Sequence, residues 1–470
     1  MGWRLRTGAT AVTVVALMGG YLVADAHDVV PGMLTLAPAP PQPAPFPSPP
    51  GAQPGPSPTP VIPTLPDDAA VPSASDVGAL VKGLVDDKRL GARVGAVVVD
   101  AATGDTLGAA AADTGFVPAS TQKLLTAVAA LTTLDPDSTL DTRAVLDADG
   151  RLILVGAGDM MLAAGAGNPD AVNGRAGLGD LAEQAAAKIK VSGQDSIRLA
   201  IDDSLFTGPA VAPAVPATEA TMGFVAPVAS MAVNVAMLGE GSWGPRATDP
   251  AMAAAQTFAR ALAEHGVTVK GSIGREQAPD DARVLATVSS APLSEVSGWA
   301  MQHSDNTITE VLGRLVALET GRHGSNDGAT QAVLAVVGKL GVDVSGAVLV
   351  DCSGLGRGSV LSPRQLADVV RLTTDPDHPQ LRDVAVDLPV GALSGTLASR
   401  FGGDNAGRGF VRAKTGSLPN VVGLAGTVVT ADDRLLVFAL QADQVESGAT
   451  VGARTIFDQF AGRLAALGAP

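Results

Sequence analysis

Sixteen of the chain's 33 prolines lie between Pro31 and Pro72, in runs such as Ala37-Pro38-Ala39-Pro40-Pro41. Proline has no backbone N–H to donate and fixes φ, so this stretch enters neither a helix nor a sheet ladder. An extended linker is expected over residues 27–75, at about 3 Å per residue in polyproline II form. Only the segment C-terminal to it, 395 of the 470 residues, is long enough to build a core. On the N-terminal side, Arg4 and Arg6 precede an uncharged, mostly apolar run from Thr7 to Ala24, and Ala24-Asp25-Ala26 has a small-x-small pattern. This predicts an export leader over residues 1–26, with two fates open: a cleaved signal peptide, or a retained anchor attaching the chain to the membrane. The expected location is extracytoplasmic.

Apolar residues make up 46 % of the chain and aromatics 3 %, so the core must be built from Ala, Val and Leu. Few aromatics and a net charge of −15 exclude a nucleic-acid partner. A single cysteine, Cys352, permits no internal disulfide, and five histidines fall into no HExxH-type spacing. No metal site and no cofactor are expected.

Strands are expected at 93–100 and 106–110, then a helix from Ser120 to Leu131, with Pro118 just before it. A hairpin follows at 142–146 and 152–156, a helix at 178–189, a strand at 196–202, and helices at 251–266 and 306–319. Strands at 409–414, 421–430 and 434–441 precede a closing helix at 449–467. Strands at both ends with helices between predict one sheet assembled from N- and C-terminal pieces.

Three short motifs stand on these elements. Ser120 and Lys123 have i, i+3 spacing and so share a helix face; Lys123 is the only one of eight lysines in such a pattern. A lysine serves a serine only as a neutral amine, which the helix dipole and a second cation would favour. Ser304-Asp305-Asn306 opens a helix and read alone is an N-cap. Lys414-Thr415-Gly416 ends a strand and read alone is a solvated edge lysine and a turn glycine. Each occurs once, in the order used by penicillin-binding proteins and β-lactamases. The rival G-x-S-x-G elbow is absent, and His303 beside Ser304 points elsewhere if adjacent side chains diverge.

With these motifs the chain resembles the D-alanyl-D-alanine carboxypeptidase/endopeptidase family of low-molecular-mass class C penicillin-binding proteins, the penicillin-binding protein 4 type. Val155-Gly156-Ala157-Gly158-Asp159, Asp202-Asp203-Ser204-Leu205-Phe206, Ala226–Asn234 and Asp351-Cys352-Ser353-Gly354-Leu355 resemble further family segments, with Cys352 in place of a usual glycine. The resemblance implies a mixed α/β (α+β) transpeptidase-like fold, an antiparallel sheet flanked by helices. It assigns 76–140 and 285–470 to the catalytic domain and 141–284 to a smaller inserted domain. It further implies catalytic roles for Ser120, Lys123, Ser304, Asn306 and Lys414, and substrate contacts for Thr415, Gly416, Ser417 and Arg357. Peptidoglycan stem peptides and β-lactams are the implied ligands. A β-lactamase, or an idle wall-binding or β-lactam-sensing module, are the alternatives, and carboxypeptidase against endopeptidase action stays open.

Overall fold

The computed structural model describes residues 65–468 except 67, 240, 242 and 243, together with positions 21 and 29. The expected leader (1–26) and the linker up to residue 64 lie outside the described residues apart from those two positions. Among the described residues, no helix is long and apolar enough to cross a membrane.

The first elements are α1 (Ala74–Val85), β1 (Val94–Asp100), β2 (Thr106–Ala110), α2 (Lys123–Thr133), β3 (Asp141–Leu146), β4 (Arg151–Gly156) and β5 (Asp159–Leu162). Then come α3 (Leu178–Val191), β6 (Ser196–Asp202), α4 (Ala217–Thr221), β7 (Met231–Val233), α5 (Pro250–Glu264), β8 (Thr268–Val269), β9 (Gly274–Arg275) and β10 (Arg283–Ser289). The chain continues with α6 (Leu293–His303), α7 (Asn306–Glu319), α8 (Asn326–Lys339), α9 (Pro363–Leu372), α10 (Arg382–Val386), β11 (Val411–Leu418), β12 (Val421–Val429), β13 (Leu435–Ala442) and α11 (Thr450–Ala465). Helix α1, capped by Ser73, begins inside the stretch expected as linker.

The main sheet is antiparallel throughout, in the order β11–β12–β13–β1–β2. It joins the two ends of the body, as the terminal strands predicted. Strand β1 lies inside the sheet and is buried along its whole length. Its alternating residues serve two cores. Ala96 and Val98 pack with residues of α1 and α11, whereas Val97 and Val99 pack with residues of α2, α7 and α9. A buried bidentate pair, Arg434 Nε and Nη2 on the Asp100 carboxylate at 2.6 and 2.7 Å, closes the β1 end against β13.

Residues 141–289 supply a second, mixed sheet, ordered β10–β3–β4–β6–β8 with β9 also on β6. The β3–β4 hairpin is antiparallel, and β4–β6 is parallel. Apolar side chains of α3 and α5, among them Leu181 and Phe258, form a core with this sheet. Strands β5 and β7 pair separately.

Candidate active site

Ser120 does not begin an α-helix as expected. It lies in a 3-10 turn, Ala119–Gln122, and the α-helix begins at Lys123. Ala119 sits at φ 48°, and the Thr121 hydroxyl donates to the Pro118 carbonyl at 2.7 Å, which tightens the turn. In a 3-10 turn residues i and i+3 eclipse, so the tighter winding sets Ser120 directly over Lys123. The Ser120 Oγ to Lys123 Nζ distance is 2.9 Å.

Lys123 is fully buried, and its Nζ also meets Asn306 Oδ1 at 2.6 Å and the Ser353 carbonyl at 2.7 Å. Those two oxygens can only accept. A neutral amine has two N–H bonds and one lone pair, so satisfying both acceptors leaves the lone pair facing the Ser120 hydroxyl. Burial lowers the Lys123 pKa to about 8, against the opposing pull of Asp351, Asp305 and Glu310. Desolvation therefore does what the sequence reading assigned to the helix dipole and a second cation.

Asn306 opens α7, where the Asp305 side chain caps the helix through the Ile308 N–H at 2.8 Å. The Asn306 amide N–H donates to the Phe224 carbonyl at 2.7 Å, which fixes the amide so that its oxygen faces Lys123. Ser304 lies between α6 and α7 in the left-handed region, φ 53°, and its Oγ accepts from Lys414 Nζ at 2.8 Å. His303 takes no part in that contact; its ring stacks on Trp299, and its Nδ1 lies 2.9 Å from the Trp299 carbonyl.

Strand β11 continues through the third motif to Leu418 instead of ending at Lys414. Lys414 is fully buried, not a solvated edge residue, and its Nζ also donates to the Thr415 carbonyl. Burial and the Lys123 cation lower its pKa well below the usual lysine value. Gly416 is required sterically, since a Cβ there would stand 2.7 Å from the Pro118 carbonyl oxygen. The bare glycine lets β11 lie against the Ser120 turn. The Thr415 hydroxyl pairs with that of Thr396 at 2.9 Å, and the Ser417 Oγ accepts from Arg454 at 2.5 Å.

A turn from Asp351 to Gly356 supplies the Ser353 carbonyl. The Asp351 carboxylate accepts the N–H groups of Gly354 and Gly356 at 2.8 and 2.6 Å. Glu310, one helical turn beyond Asn306, accepts those of Cys352 and Ser353 at 2.9 and 2.8 Å. Burial and the nearby Asp351 raise the Glu310 pKa to about 7. Gly354, at φ +78°, has no room for a Cβ, which would fall 2.0 Å from the Ala119 carbonyl oxygen. Cys352 fits where glycine is usual because its Sγ lies against the bare face of α7 at Gly313.

The motifs meet in an open cleft of about 780 Å³, lined in part by Ser120, Ser304, Asn306, Thr415, Gly416 and Ser417. Lys123 and Lys414 stand behind that lining through their bonds to Ser120 and Ser304. Of the residues singled out from sequence, Arg357 alone is not brought there. It is exposed, and its backbone N–H bonds the Ala214 carbonyl. Sequence reasoning missed Glu310, Phe224, Arg400 and Arg454. Only Glu310 had a legible signal, an acid one turn after Asn306 on the same helix.

The profile of the D-Ala-D-Ala carboxypeptidase 3 (S13) family matches residues 77–241 and 236–466. The chain belongs to that family. It is similar to the carboxypeptidase Rv3627c of Mycobacterium tuberculosis, at 36 % identity over 86 % of this chain and 85 % of the relative. It is also similar to a D-alanyl-D-alanine carboxypeptidase of Actinomadura sp. strain R39, at 30 % identity over 77 % and 80 %. Among solved structures it is similar in fold to penicillin-binding protein 4 of Haemophilus influenzae. There the TM-score is 0.69 at 22 % identity, covering 82 % of this S13 chain and 98 % of that one.

Proposed function

We propose that this S13 enzyme removes the terminal D-alanine from D-Ala-D-Ala stem peptides of peptidoglycan through an acyl-enzyme on Ser120. One observation carries the reading: a buried Lys123 amine with two fixed acceptors and its third direction on the Ser120 hydroxyl. Neutral Lys123 takes the hydroxyl proton as Ser120 Oγ attacks the penultimate carbonyl. The backbone N–H groups of Ser120 and Ser417 hold the developing oxyanion; Ser417 lies on the edge strand β11, where alternate N–H groups have no strand partner. Ser304, bonded to Lys414, relays the proton gained by Lys123 to the departing amine and keeps its own hydroxyl, the C–N bond breaks, and D-alanine leaves. Water then cleaves the Ser120 ester and regenerates the hydroxyl. Asn306 holds Lys123 and the substrate amide, and Thr415 and Ser417 meet the terminal carboxylate.

The same attack opens a β-lactam ring, so β-lactams acylate Ser120. Residues 141–284 act as an inserted domain whose Phe224 carbonyl orients Asn306. The enzyme works outside the cytoplasm, delivered by residues 1–26 either as a cleaved leader or as a membrane anchor. The test is release of D-alanine from a pentapeptide stem by wild type and Ser120→Ala, with mass spectrometry of each after penicillin. Release and a covalent adduct in the wild type alone are expected. A folded wild type that releases nothing overturns the reading.

A further inference from the structure

Arg454 is the fifth residue of α11, and it lines the cleft beside Ser417, 37 residues away in sequence. Its surroundings are costly for a cation. It is half buried, and burial together with the neighbouring Arg400 lowers its pKa, against the opposing pull of Asp458. Arg400 is neutralised by a bidentate grip on Asp458, with N···O distances of 2.6 to 3.1 Å. Arg454 has no such partner: among the described residues, no carboxylate lies within ion-pair distance of it. A half-buried guanidinium on the cleft wall, with no carboxylate paired to it, is available to an anion that enters the cleft.

The bond to Ser417 shows how it would be used. Arg454 donates to Ser417 Oγ at 2.5 Å, occupying an acceptor site of the hydroxyl and leaving its proton free to turn outward as a donor. Two residues earlier on the same face of β11 stands Thr415, with a hydroxyl of its own. The nearby lysine, Lys414, is already bonded to Ser304 and to the Thr415 carbonyl. An anion at this edge therefore meets one free guanidinium and two hydroxyls.

We propose that Arg454 is a specificity-determining residue that clamps the free α-carboxylate of the leaving residue, selecting peptides that end in an unmodified C-terminus. This rests on the peptidase reading above. Charge-assisted bonds of this kind are stronger than those the hydroxyls make alone.

The experiment compares a peptide ending in D-Ala-D-Ala with the same peptide as its C-terminal amide. Wild type should prefer the free acid. Arg454→Gln should lower kcat/KM on the acid by about 30- to 100-fold, and on the amide by less than about 3-fold. Arg454→Lys, which keeps a charge without the planar fork, should recover part of the preference. Thermal denaturation checks that each variant is folded; if Arg454→Gln is not, the acid-to-amide ratio of Arg454→Lys decides, and it must fall below that of wild type. Equal losses on both peptides in a folded variant, or no loss on the acid, overturn the clamp while leaving the peptidase reading intact. A wild type that cleaves neither peptide overturns the peptidase reading, and the clamp with it.

Discussion

Lys123 and Lys414 are both fully buried behind the same cleft, yet their surroundings differ in sign. Three carboxylates, Asp351, Asp305 and Glu310, act on Lys123 and partly offset what burial takes away, leaving its pKa at about 8. Lys414 has no such support, and Lys123 adds to the effect of burial. Two adjacent buried ammonium ions are unfavourable together, so a proton lost from Lys123 removes one of the two causes that lower Lys414. The lesson is a division of labour: the pocket backed by acids holds a base that titrates at about 8, and the pocket without them disfavours the ammonium form of Lys414 until an anionic ligand supports it.

The largest test of this contrast removes the amine. Lys123→Met should abolish the neutral base and lower the rate of penicillin acylation by about 10³- to 10⁴-fold, measured by stopped-flow or gel labelling. An intact rate would mean that Lys414 serves both pockets. A steric test comes next. Gly354→Ala forces a Cβ against the Ala119 carbonyl and demands a left-handed alanine, so it should destabilise the fold by about 2–4 kcal/mol in denaturant titration. Residual folded protein should also acylate slowly, because the Ser120 turn has been displaced.

The smallest and most informative test is titration. Acylation by wild type should rise about tenfold per pH unit below about 8 and level off above it, because only unprotonated Lys123 accepts the serine proton. Glu310 is ionised above about 7 and there favours the ammonium form of Lys123. Glu310→Gln removes that charge, so the Lys123 pKa falls further and the acid limb moves to lower pH, by about half a unit to one unit. A limb that stays in place, or moves to higher pH, would show that the acids behind Lys123 do not tune it.

How much of this was legible beforehand follows from the range of each interaction. The three motifs could be read because each depends on neighbours within a turn of helix or a step of strand, and the terminal strands could be read because their apolar runs are continuous. Helices α6, α8 and α9 escaped notice, although Ser362 and Gln365 form a capping box that marks the start of α9. The 3-10 turn at Ser120 packs closely against Gly354 and Gly416, hundreds of residues away, a fit that no local pattern announces. Arg454 had no sequence signal at all, since its meaning depends on a serine of another element. Arg357, read as a substrate contact from its place after the Ser-Gly-Leu turn, is exposed and lies outside the cleft.

The main sheet also imposes an order on biogenesis. In the register of β1 with β13, Val94 is opposite Ala442, 348 positions later, so the sheet that carries the third motif on β11 joins the N-terminal strands only through its last strand. A chain synthesised from its N-terminus thus lacks a complete main sheet until almost all of it has been made, and a copy truncated before residue 435 would be left with naked strand margins that invite aggregation.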